Sequence, residues 1–153
     1  MTFKRDRCCG ARASVGNRER LALHLQAALT KPFVWGKSDC VTFANDAVMA
    51  QRGVGFVDDI LARPYSGEFG AMRMWRRAQE ATGHHDIVEL LDDRLTRSVS
   101  RHPVMGSVVA RPVAARMVFT HAIGIMGGRG CHFMTATGLM CFDLSDGDLT
   151  WEI

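Results

Sequence analysis

The chain has 153 residues, 47% of them apolar and 23% charged, with a formal net charge of +3. That length and apolar content suit one compact domain with its own core, and they exclude a disordered segment and a miniature fold held by disulfides. The mild positive excess is scattered arginine, densest at Lys4, Arg5, Arg7, Arg12, Arg18 and Arg20, and is too weak for a nucleic-acid signature, so no nucleic acid is expected as a partner.

Residues 1–16 read as a basic N-terminal leader and residues 17–153 as a single folded domain. The leader opens Met-Thr-Phe-Lys-Arg-Asp-Arg, without the apolar segment of a signal peptide, and the chain nowhere has the roughly 18 consecutive apolar residues of a membrane span. Cys8 and Cys9 lie in this leader; with Cys40, Cys131 and Cys141 they make five cysteines and no Cys-x-x-Cys pair, so reduced thiols and no metal site are expected. No cofactor is expected either.

Asn17 is placed to cap a helix running to about Thr30, with Leu21, Leu25, Ala28 and Leu29 on one face. Pro32 then imposes an extended entry into a Trp35-Gly36 turn. Asp39 is placed to cap a second helix in which Cys40, Phe43, Ala44, Ala47 and Val48 recur at helical spacing, ended by Gly53 and Gly55. Residues 56–68 read as a loop with a Pro64-Tyr65-Ser66-Gly67 turn. A third helix is expected over 69–82, with Met72, Trp75, Ala78 and Gln79 inward and Gly83 closing it, and a shorter one from Ile87 to Leu95. After Pro103 the pattern changes to short β-rich runs separated by glycine: 106–110, 117–126, 131–135, 138–142 and 149–153. Helices first and strands second is an α+β order, with the strands expected to form an antiparallel meander.

The chemically distinctive residue is Cys40. A cysteine at the first turn of a helix faces backbone N–H groups whose partial positive charge favours thiolate, which lowers its pKa and makes it a nucleophile; the bland reading is a buried structural cysteine. Its candidate base is His121, on an expected strand beside small residues about 80 positions later. His84 and His85 are adjacent and point in different directions on any regular element, which argues against a metal site there.

Phe33-Val-Trp35-Gly36, Asp39-Cys40, Gly106-Ser107-Val108-Val109 and His121-Ala-Ile-Gly-Ile-Met-Gly127 together resemble the NlpC-type cell-wall cysteine peptidases of the papain-like superfamily. The likeness covers about residues 31–142, and closer variants of the pattern occur among short phage tail and gene-transfer-agent proteins. It implies a papain-like α+β fold, with N-terminal helices packed on a C-terminal antiparallel sheet. Cys40 would be the nucleophile, His121 the general base, and His132, or Thr135 if the hairpin is shifted by one residue, the group that orients the imidazole. Trp35, Phe33 and Asp39 would line the substrate cleft. The implied substrate is peptidoglycan stem peptide, the partners other tail or tail-tip proteins, and the location the virion tail; the alternative is a catalytically degenerate structural or assembly protein of a phage-like tail tip. Four departures stand out. Phe33 takes the place of a tyrosine whose hydroxyl contributes to the family's active site, Ser107 replaces an aspartate, Val41-Thr42 replaces Ser-Gly after the nucleophile, and the glycine after His121 is displaced by one position. In a strand of period two, that displacement bears on which face the histidine presents.

Overall fold

A computed structural model of the chain describes residues 15–114 and 119–153. The basic leader up to residue 14, with Cys8 and Cys9, and the first two residues of the expected 117–126 strand lie outside the described residues.

Among the described residues, five helices precede the whole of the sheet: α1 (Val15–Ala28), α2 (Cys40–Arg52), α3 (Asp58–Leu61), α4 (Gly67–Thr82) and α5 (Ile87–Arg94). The six strands are β1 (Thr96–Arg97), β2 (Val108–Pro112), β3 (His121–Met126), β4 (Cys131–Thr135), β5 (Gly138–Phe142) and β6 (Leu149–Glu152). They form one antiparallel sheet in the order β1-β6-β2-β3-β4-β5. The architecture is therefore α+β, with helices at the N-terminal side and an antiparallel sheet, as the composition of the two halves implies. The expected simple meander holds from β2 to β5. β6 instead returns across the sheet to pair with β2, Val108 opposite Trp151, and with the two-residue β1.

Helix α2 is the centre of the core. Phe43, Ala44, Ala47 and Val48 are buried as expected, and so are Val41, Thr42, Asn45 and Gln51, so neighbours cover the helix on almost every side. Ala44 and Ala47 have no exposed surface, which lets the helix axis approach the sheet closely. Against it pack Leu21 and Ala28 of α1, Trp75 and Ala78 of α4, Leu90 and Leu91 of α5, and Val108, Ala110, Ile123, Ile125, Met134 and Trp151 from one face of the sheet. Gln51 ties the end of α2 to the turn before β2, its side-chain amide donating to the carbonyls of Ala47 (3.1 Å) and Gly106 (3.3 Å).

Several boundaries differ from the expectation. α1 begins before Asn17, whose side chain accepts from Arg20 within the first turns, and ends at Ala28. Leu29 therefore leaves the helical phase and is exposed. The 56–68 loop contains the short α3, placed by Val57, which is buried and donates its N–H to Asn45 Oδ1 at 2.9 Å. α4 turns Ala71, Met74, Trp75 and Ala78 inward, so its buried face is rotated from the Met72-Gln79 side.

The sheet buries two faces. Opposite the helices, Val109, Cys131 and Phe133 form a second small cluster with Ala122 and Met126. Arg111 on this face reaches across β3 to stack on Phe133 and Phe142, with centroid distances of 5.0 and 5.5 Å. Its guanidinium also makes a bidentate pair with Asp148 (2.8 and 2.7 Å), whose side chain is wholly buried.

Candidate active site

The turn before α2 positions the thiol. Gly36 adopts φ +79°, and a Cβ there would overlap the carbonyl oxygen of Tyr65, so both backbone conformation and close approach require glycine. Trp35 and Phe33, both half-buried, meet edge to face at 4.9 Å and 87°, which fixes the aromatic pair beside the turn. Asp39 caps α2 with its carboxylate almost fully buried (1% exposed). Its Oδ1 accepts from the N–H and the hydroxyl of Thr42, each at 2.9 Å, while its Oδ2 accepts from the Gly36 N–H at 2.8 Å and from the Tyr65 hydroxyl. The Asp39 N–H in turn donates to Thr42 Oγ1 at 2.9 Å, completing a reciprocal capping box. Four donors thus compensate one buried charge.

Cys40 opens α2 directly after this cap, is partly covered, and packs against the core cluster to which Ile123 of β3 belongs. Burial first, and the Asp39 carboxylate second, push the thiol up to about 11. The N–H groups of Ile123, Val41 and Cys40 pull in the opposite direction and lose. The expected lowering by the helix N-terminus is therefore reversed at this site: desolvation acts on the whole thiolate charge, whereas the helix end offers only fractional charges.

His121 is the first residue of β3. Ile123 and Ile125 face the helix-covered core, so alternation puts His121 on that same face, two residues and roughly 6–7 Å along the strand from Ile123, which shares the core cluster that Cys40 packs against. The displaced glycine does not reverse this. Gly124 lies opposite Phe133 on the other face, and a Cβ there would lie 2.7 and 2.8 Å from Phe133 Cδ1 and Cε1. The glycine makes room for the Phe133 ring and leaves the core face of β3 to the isoleucines and His121. The imidazole Nδ1 is 2.8 Å from Thr120 Oγ1. With Nδ1–H donating to that hydroxyl, Nε2 is left as the free base.

The other expected partners sit elsewhere. His132 shares the helix-facing side but pairs with Ile125, four residues and about 13 Å along β3 from His121, so the structure does not bring these two histidines together. Burial lowers the pKa of His132. Thr135 lies at the far end of β4, where its hydroxyl donates to the Gly138 carbonyl at 2.8 Å and closes the hairpin. On the core face of β4, two residues beyond His132, stands the buried Met134, an apolar side chain. The hydroxyl at hydrogen-bond distance from His121 thus comes from its own neighbour, Thr120.

Tyr65 is the site residue that sequence reasoning missed. It is the chain's single tyrosine and falls in an expected turn, so nothing local marks it. In the structure its hydroxyl reaches the cap of the helix that carries Cys40. Elsewhere, a groove of about 480 Å³ runs between residues 97–103 and 144–150, and none of Cys40, His121 or Tyr65 lines it. Among the described residues no group of three or more metal-ligating side chains converges, and no helix there is long and apolar enough to cross a membrane.

No curated protein matches the chain. The model of DUF6950, a domain of unknown function, matches residues 14–153, and the chain belongs to that family.

Proposed function

We propose that the protein is a papain-like, NlpC-type cysteine peptidase or amidase, associated with a phage-like tail, that cuts peptidoglycan stem peptides through Cys40 and His121. The observation that carries this reading is the meeting of α2 and β3: a cysteine at a helix start packs against the core cluster that includes Ile123, two residues from a histidine on the same strand face. The α+β order and the likeness of the Trp35-Gly36, Asp39-Cys40 and His121 segments support the fold assignment. Trp35 and Phe33, paired in the segment before α2, are assigned as the aromatic wall of the cleft, and the substrate class and the tail location, with other tail proteins as partners, follow from the resemblance.

The chemistry starts from a neutral thiol. With its pKa near 11, Cys40 is not a preformed thiolate at neutral pH, so the proton passes to His121 Nε2 as the sulfur attacks the amide carbonyl. The Cys40 N–H holds the developing oxyanion, His121 returns the proton to the departing amine, and a water activated by His121 cleaves the thioester to give the acid and the free thiol.

One observation favours a second reading. Burial and the adjacent carboxylate hold the thiol in its unreactive form, which suits a tail-tip structural protein that keeps the fold without turnover. Incubation of the full chain with purified peptidoglycan, followed by analysis of released fragments, separates the two. New peptide termini that vanish with Cys40→Ala and with His121→Ala support hydrolysis; intact peptidoglycan with a folded protein supports the structural role.

A further inference from the structure

We infer that Tyr65 is a positioning residue of the thiol site, whose hydroxyl anchors the Asp39 carboxylate and draws its charge toward the Gly36 turn and away from Cys40 Sγ. The inference rests on the reading of Cys40 as a working thiol. Asp39 divides its two oxygens: Oδ1 serves the helix through Thr42, and Oδ2 serves the turn through the Gly36 N–H and the Tyr65 hydroxyl. With the carboxylate buried, water does not replace a lost donor.

Tyr65 is wedged in place. Its carbonyl lies against Gly36 and its Cβ side packs near Gly70 in the first turn of α4, so the ring bridges the start of α4 and the start of α2. Burial, and then the carboxylate it faces, raise the phenol's pKa, which keeps it a donor throughout the working range. Among the described residues, the titratable groups that act on this thiol are Asp39 from the preceding turn and Tyr65 from the α3–α4 loop, with His121 farther along the helix-facing side of β3. How tightly donors hold the electrons of the Asp39 carboxylate decides how strongly it opposes the thiolate.

The test uses the full chain and reads the rate at which iodoacetamide alkylates Cys40 between about pH 6 and 11, resolved by mass spectrometry. Tyr65→Phe keeps the ring and removes the hydroxyl. It is expected to shift the Cys40 profile to higher pH and to slow alkylation at pH 8 by about threefold to tenfold. In an Asp39→Asn background, where no charge remains to be drawn off, the same substitution is expected to leave the profile in place. A Tyr65→Phe profile that superimposes on the parent overturns the inference, as does an equal shift in both backgrounds, which would mean that the hydroxyl acts on the sulfur without Asp39. The peptidase reading fails on a different observation, a Cys40 rate indifferent to His121→Ala, so the two are separable in one set of curves.

Discussion

Gly124 marks the face of β3 turned away from the helices, and Gly124→Ala tests that placement directly. The added methyl would overlap the His132 carbonyl oxygen, a ladder atom of the neighbouring strand, and would lie 2.7 and 2.8 Å from two carbons of the Phe133 ring. Carbon atoms in contact normally stay beyond about 3.5 Å, so both neighbours must move. The ring can tilt, at the expense of its stacking with Arg111, but the strand backbone yields only by distorting the β3–β4 pairing. Overpacking of this kind costs about 1–3 kcal/mol, which for a chain of this size lowers Tm by roughly 2–10 °C. Gly128 in the same hairpin is the control, because a Cβ there meets nothing within 4 Å, and Gly128→Ala should stay within about 0.5 kcal/mol of the parent. Urea and thermal unfolding followed by circular dichroism give both numbers. A Gly124→Ala protein as stable as the parent would refute the register argument, and with it the placement of His121 on the core face.

Two further outcomes follow from the buried ionisable groups. The Cys40 thiol is pushed up from 9.0 to about 11, so the folded state holds its proton more tightly than the unfolded chain: the associated stability is present below about pH 9 and is lost as pH rises toward 11. Unfolding at a series of alkaline pH values should show the parent losing about 2–3 kcal/mol more than Cys40→Ala over that interval, and parallel curves would contradict the burial of the thiol. Asp148 has no exposed side-chain surface; burial alone would raise its pKa, and the hydrogen bonds from Arg111 and the Ser145 N–H bring it below the usual carboxylate range. Arg111→Met should therefore destabilise the protein by about 3 kcal/mol at neutral pH, with the penalty shrinking as pH falls through the carboxylate range; a denaturation midpoint equal to the parent's would refute the role given to this pair.

The parts of the fold legible in the sequence are those specified by near neighbours. The Asp39 cap, the apolar stripe of α2, Gly53 and Gly83 as helix ends, and the strand segments from 108 to 142 all follow from local pattern, and each has its counterpart in the structure. The return of β6 to β2 does not, because a four-residue strand carries no record of its partner. Leu29 shows how a single residue past a helix end escapes a periodicity that otherwise holds. At the candidate site, Cys40 and His121 stand out in the sequence by type and order, whereas their setting does not. The Asp39–Tyr65 hydrogen bond joins residues 26 apart through a loop, and the direction of the Cys40 shift depends on how deeply β3 covers the sulfur. The position of His132 turns on the β3–β4 register, in which Met126 pairs with Cys131 and Ile125 with His132; a slip of one residue would change its face.

The central claim, that Cys40 and His121 work as a pair, is tested most directly by the pH dependence of Cys40 alkylation in the parent and in His121→Ala. The pairing predicts a Cys40 rate at neutral pH well above that of a thiol titrating near 11 without assistance, falling about tenfold or more when the imidazole is removed while the fold is kept. Identical profiles in the two proteins, both following an unassisted thiol, would contradict it.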